Sequence, residues 1–284
     1  MPTEAPRGLF AREVTKPEPD INLARAALLV AQEEYAQLPV ELYLARLDQL
    51  AEEVKDRLAD ETAPLVVLGE LTDTLYRRRK LTGNRDAYYD PRNSFLNDVL
   101  DRGLGIPLTL AIVLLEVAWR LGLPVEGVNF PGHFLVRFKG DAMDLLIDPF
   151  DSGKTRFEDQ AQELLDKVYG GVVRVQPSFM RRASRRDILV RLLSNLKGVY
   201  VNVEDYPRAL AAVERILLLE PDAISEVRAR GLLLAKAGRR VEAADQFETY
   251  LALAPGSADA ARIRAMVDNL RAGGDVAADE DLDA

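Results

Sequence analysis

The sequence predicts an α+β fold: a helical N-terminal region, a core in which one buried helix leads into a small antiparallel sheet, and an all-α repeat region. Three observations carry that prediction. Apolar residues recur at spacings of three and four through most of residues 21–121, they alternate with period two over residues 125–150, and from residue 185 onward a helical pattern repeats at a period of 34.

Residues 1–20, MPTEAPRGLFAREVTKPEPD, hold four prolines and scattered charges, so a flexible leader without the basic and apolar regions of a secretory signal is expected there. INLARAALLVAQEEY and PVELYLARLDQLAEEVKDRLAD then place apolar residues on one helical face each, with Pro39 as the break between them. The helical register continues through APLVVLGELTDTLYRRRK and gives way to a polar, glycine-containing loop, LTGNRDAYYDPRN. In PRNSFLNDVLDRG, Asn93 or Ser94 can cap a short helix with Phe95, Val99 and Leu100 on its apolar face, and Gly103 ends it.

GIPLTLAIVLLEVAWRLGLP starts a helix with proline near its first position and stops it with Gly122 and Pro124. Apolar residues surround this helix except for a stripe of Thr109, Glu116 and Arg120, which should face water or a polar neighbour. It reads as the central helix of the domain. VEGVNF, HFLVRF and AMDLLIDPF follow as strands. A two-residue Gly140-Asp141 turn would set Phe138 against Met143, Val136 against Leu145 and Phe134 against Ile147 on an apolar face. On the opposite face, the same register sets Arg137 against Asp144 as an ion pair, and His133 against Asp148.

After RRDILVRLLSNLKGVY, Ala209 aligns with Ala243, Val213 with Phe247, Ile216 with Tyr250 and Pro221 with Pro255. This resembles tetratricopeptide repeats, whose helix pairs carry a small residue early in the second helix and a proline past its end. Gly231 fills the small-residue position of the first helix in the second repeat, where the first repeat has Lys197. ADAARIRAMVDNLRA reads as a capping helix. The domains expected are a leader over 1–20, a core with its N-terminal helices over 21–180, helical repeats over 181–272 and a disordered acidic tail over 273–284.

Composition narrows the chemistry. With 48% hydrophobic and 29% charged residues the chain reads as soluble and globular, no apolar run is long enough to span a bilayer, and a cytoplasmic placement is expected. The absence of cysteine removes disulfides, thiolate metal sites and cysteine nucleophiles together. With a single histidine, a zinc site would fall mostly to carboxylates, so neither a metal nor a cofactor is expected. A net charge of −9 argues against nucleic acid as a partner, and the basic clusters at 76–80 and 181–191 read as solvated faces or a linker.

That single histidine, in FPGHFLVRF, acquires a carboxylate partner in Asp148, which is the base half of a nucleophilic triad. The stretch from NSFLNDVLDRG through GIP and FPGHF to LLIDPF resembles the transglutaminase-like (papain-like) domain of the SirB type, and the flanking helices and later repeats are similar to that family's arrangement. The resemblance implies a cysteine at the start of the central helix, followed by a histidine and an aspartate on adjacent strands. His133 and Asp148 match the last two roles; the cysteine position falls at Pro107, which has no nucleophilic atom. Thr109 points roughly 160° away from Pro107 around the helix and is a poor substitute. Ser94 reads as a cap, and Asn93 and Asn97 are candidate hydrogen-bond donors to a ligand. The expected function is therefore a non-catalytic protein- or peptide-interaction module with a remnant His133–Asp148 cleft, its repeats holding a partner. The alternative is a cysteine-free hydrolase or acyltransferase in which Asp148 orients His133 as general base toward water.

Overall fold

The computed structural model describes residues 5–140 and 144–275. They divide into two compact units, residues 1–192 and 193–284, and the division falls within one helix, Arg185–Asn202.

The first unit begins earlier than its prolines suggest. Residues 6–14 are not a leader but helix α1 (Pro6–Val14), with Pro6 in the first turn, where its missing amide proton is no loss. Phe10 and Val14, one helical turn apart, are fully buried, and the Glu13 carboxylate accepts the Asn22 amide at 2.7 Å. The remaining helices before the sheet are α2 (Leu23–Glu34), α3 (Val40–Leu58), α4 (Pro64–Thr72) and α5 (Leu96–Arg102). Asn22 caps α2 by accepting the Arg25 amide, and Gly103, at φ +71°, closes α5 in the left-handed region. Beyond α4 the chain widens into a π-helical turn, Asp73–Arg78. Strands β1 (Thr82–Gly83) and β2 (Leu104–Gly105) then form a two-residue parallel pair.

α6 (Pro107–Arg120) is buried along its first twelve residues and packs against α2, α3, α4 and α5 as well as the sheet. Its polar stripe meets protein groups instead of water. Thr109 Oγ1 donates to the Asn93 carbonyl at 2.6 Å, while Glu116 accepts the Ala24 amide at 2.9 Å and an Arg120 N–H at 2.5 Å. A buried carboxylate so bonded escapes the desolvation penalty of an unpaired one.

The sheet runs in the order β6-β5-β4-β3-β7, all antiparallel, from β3 (Val125–Val128), β4 (Leu135–Phe138), β5 (Leu145–Asp148), β6 (Lys154–Arg156) and β7 (Arg182–Ala183). The β4–β5 register differs from the two-residue-turn expectation. Phe138 pairs with Leu145, Arg137 with Leu146 and Val136 with Ile147, a shift of two positions, because the connection is longer than a tight turn. Asp141 and Met143, which the expected turn and its first pair require, lie outside the described residues. A shift of two leaves every side chain on its predicted face. It leaves the expected Arg137–Asp144 ion pair in place but long, with Nε 3.9 Å from Oδ2. Arg137 bonds Glu126, its β3 neighbour, more closely, at 3.0 Å, and Lys139 shares Asp144 at 2.9 Å. Both faces of the sheet are covered: Val128, Leu135 and Leu146 pack on Ala161, Leu164 and Leu165 of α7 (Ala161–Tyr169), and Val136, Phe138 and Ile147 of the other face are buried as well.

The second unit begins within α8 (Arg185–Asn202) and continues through α9 (Tyr206–Leu219), α10 (Ile224–Lys236), α11 (Arg240–Leu253) and α12 (Ala260–Arg271). The aligned positions of the repeat, Ala209, Val213 and Ile216 with Ala243, Phe247 and Tyr250, are all buried. Gly231 is small for a local reason: a Cβ there would stand 2.6 Å from a ring carbon of Phe247. Where the first repeat carries Lys197 instead, the ammonium pairs with Glu226 at 2.8 Å. Asp259, just before α12, accepts from both Arg228 and the Tyr250 hydroxyl at 2.7 Å, fastening the last helix to the two before it. Of the expected acidic tail, residues 276–284 lie outside the described residues.

Candidate functional site

Asp148 closes β5 and caps the 3₁₀ turn Pro149–Asp151, its Oδ1 accepting the amides of Phe150 at 3.0 Å and Asp151 at 3.1 Å. Two glycines let the flanking chain close down. A Cβ at Gly83 would overlap the Phe150 ring, and one at Gly153, where φ is +75°, would overlap the Tyr76 ring. The same carboxylate oxygen meets His133 Nε2 at 2.8 Å. His133 does not reach it from within β4. It leaves the turn Phe130–His133, closed by the His133 amide on the Phe130 carbonyl at 3.1 Å, with Pro131 and Gly132 at the central positions and Gly132 at φ +66°. With the observed register, Leu135 would stand opposite Asp148, and His133, two residues back on the same face, meets the carboxylate diagonally.

Burial opposes charge on Asp148, but the His133 hydrogen bond, the charge of that ring and the Asp151 and Phe150 amides outweigh it and hold the carboxyl below its usual range. An ionised Asp148 accepts the Nε2 proton, so in the uncharged form of the imidazole Nδ1 is the nitrogen left to accept. The imidazole is held on a second side by Phe150, edge to face at 6.1 Å, and only 12% of its side chain reaches solvent.

What remains open is a cleft of about 280 Å³. His133, Asp148 and Gly132 share it with Pro107, the first residue of α6, so the proline stands in the same cavity as the imidazole. Arg85, Tyr88, Phe150, Asp151 and Arg156 form more of its wall, with Leu164, Lys167 and Val168 of α7. Asn93 and Asn97 are not among its lining residues. Asn93 is fully buried; its Nδ2 donates to the Ala87 and Tyr88 carbonyls and its Oδ1 accepts from Asn84, so it braces the 84–93 loop and caps no helix. Asn97 lies inside α5, 4% exposed, with Oδ1 unpartnered. Ser94 is likewise buried and does not cap α5, whose N-cap position is Phe95; its amide instead closes the 3₁₀ turn Pro91–Asn93 on the Pro91 carbonyl. Thr109 is fully buried, bonded to backbone, and absent from the cleft wall.

The arginines and Lys167 were invisible to sequence reasoning for a definable reason. SGKTRF has no alternation to mark β6, and AQELLDKVY is an ordinary amphipathic helix whose placement over the sheet depends on tertiary packing. Among the described residues no cluster of three or more histidine, cysteine or carboxylate side chains is placed to hold a metal ion, and no helix is long and apolar enough to cross a membrane.

A family model described as Transglutaminase-like superfamily matches residues 41–194, and one described as Tetratricopeptide repeat matches residues 196–268. The chain is 36% identical over 247 residues to a UPF0162 protein of Xylella fastidiosa (strain 9a5c), an alignment covering 86% of this chain and 88% of the relative. To a UPF0162 protein of Pseudomonas aeruginosa it is 33% identical over 211 residues, 73% of this chain and 76% of the relative. A shorter match, 35% identical over 127 residues, joins 40% of this chain to 20% of the F-box only protein 21 of Homo sapiens. No solved structure matches the chain.

Proposed function

The chain belongs to the transglutaminase-like superfamily, as a transglutaminase-like domain followed by tetratricopeptide repeats, and from that premise we propose that it is a non-catalytic interaction protein whose cleft binds a peptide group without transforming it. Within the superfamily we assign it to the SirB-type branch, on the ordered GIP, FPGHF and DP elements.

The observation that carries the reading is the company of the imidazole. Acyl transfer through a covalent intermediate needs a thiol or hydroxyl within reach of the ring. In the cleft, Pro107 occupies the first position of α6, no serine, threonine or cysteine lines the wall among the described residues, and the Tyr88 phenol is held in its protonated, weakly nucleophilic form by burial. The His133–Asp148 pair then serves as a polar fixture: Nδ1 accepts from a ligand N–H while Asp148 fixes the ring. Tetratricopeptide repeats, which generally mediate protein–protein contact, supply the second unit with a surface of the kind that holds helices and peptides.

One feature favours a second reading. An ionised carboxylate that orients a ring and leaves Nδ1 free is also what a general base needs, and such a base acting on water contributes about 10²–10⁴ in rate without a nucleophile. A mass-spectrometric screen with amide, ester and amine substrates separates the two. Unchanged substrates are expected. Product that depends on pH and disappears in His133→Gln would replace the binding reading with the hydrolytic one.

A further inference from the structure

The cleft holds more cationic hydrogen-bonding capacity than its own chain uses. Arg156, on the edge strand β6, keeps only 5% of its side chain exposed, yet its Nε has no hydrogen-bond partner. Its terminal nitrogens stand 3.5 Å from Asp151 and 3.7 Å from Glu163. Those separations exceed the roughly 2.7–2.9 Å of a charge-assisted N–H···O bond. A buried guanidinium with its fork left open is a standing free-energy cost until an acceptor enters.

Arg85 and Lys167 line the same cleft, as do Asp148 and Asp151; Arg85 bonds Asp151 at 3.3 Å, whereas Arg156 holds its acids only loosely. α6, fourteen residues long, opens on the cleft through Pro107 and adds the partial positive charge of its N-terminus. One open guanidinium suits a monoanion, whereas a phosphate dianion would meet more repulsion from Asp148 and Asp151 in the same wall. Tyr88, Leu164 and Val168 supply an apolar wall beside the charge. The volume, about 280 Å³, lies just below the usual range of small-molecule pockets, roughly 300–1,000 Å³, and suits a single residue.

We propose that this cleft binds a carboxylate on a short aliphatic group, with Arg156 as its fork, and that the carboxylate is the free C-terminus of a peptide ending in an aliphatic residue. The proposal rests on the peptide-binding reading above and names its ligand. The sole histidine gives the test its reporter, because a chain isotope-labelled only at histidine yields one ring signal, from inside the cleft. At constant ionic strength, N-acetyl-Ala-Val with a free carboxylate shifts that signal saturably, its C-terminal amide binds at least about tenfold more weakly, and pentanoate falls between the two. Arg156→Gln abolishes the preference for acid over amide. Should that variant fail to fold, Arg85→Gln combined with Lys167→Gln weakens the acid by about tenfold instead.

Equal affinity for acid and amide overturns the carboxylate and leaves a peptide cleft standing. Pentanoate binding as tightly as the dipeptide overturns the peptide C-terminus as the source. No saturable shift with any of the three probes overturns the proposal entirely, while cleaved or acylated product in the same samples defeats the non-catalytic reading instead.

Discussion

At the scale of single residues, Asp148 has three partners for one oxygen: the His133 ring and the amides of Phe150 and Asp151. Its folded-state carboxyl is depressed, so the stabilisation is complete above the unfolded carboxyl value, about 4, and is lost as pH falls through the lower folded value. Asp148→Asn is expected to cost about 1–3 kcal/mol at pH 7 by urea unfolding. The gap to the parent chain narrows as pH drops below about 4. A gap that stays constant from neutral to strongly acid conditions would remove the ionised carboxylate from the account. The pairing was legible in the sequence because it depends only on parity along two strands. What was not legible is the manner of it: Gly132 and Pro131 deliver the ring from a turn, and the carboxylate lies diagonally across from it.

At the scale of elements, legibility followed length and periodicity. α6 was readable from Pro107 to its end because proline, an apolar surround and a terminal glycine agree with one another. α1 was not, since prolines near both its ends mimic a loop until Phe10 and Val14 are seen to bury. β6 and β7 are edge strands of three and two residues, too short for any pattern to show. In the repeats the 34-residue spacing fixes which positions meet, and Gly231 tests it. Gly231→Ala places a methyl 2.6 Å from the Phe247 ring, an overpacking expected to cost about 1–3 kcal/mol. Phe247→Leu in the same chain should return part of that loss, leaving the double variant less destabilised than the two single losses added. Thermal unfolding followed by circular dichroism measures the cycle. Strict additivity would deny that the two side chains meet.

At the scale of the whole molecule, the net charge of −9 and two arginine clusters pull in opposite directions. The first cluster is spent on acids of its own unit: Arg77 on Asp73, Arg78 on Glu70 and Asp73, Arg79 on Glu53. In the second, Arg186 bonds the Lys16 carbonyl at 2.9 Å and Arg191 the Phe130 carbonyl at 3.0 Å, while Arg181 and Arg182 are exposed. Arginines already committed to the chain release few counterions on meeting a phosphate backbone. A mobility-shift titration with duplex DNA at physiological ionic strength is expected to show no retarded species. Retention that collapses steeply with added salt would return these clusters to the list of binding surfaces.

A carboxylate that caps a turn and steadies a ring at once imposes an order on mutational drift. A descendant that exchanges the imidazole keeps the turn, because the Phe150 and Asp151 amides still find their acceptor. One that loses the acid first strands both amides and the ring together. The histidine is the piece this scaffold can shed, and the aspartate is the one it must carry.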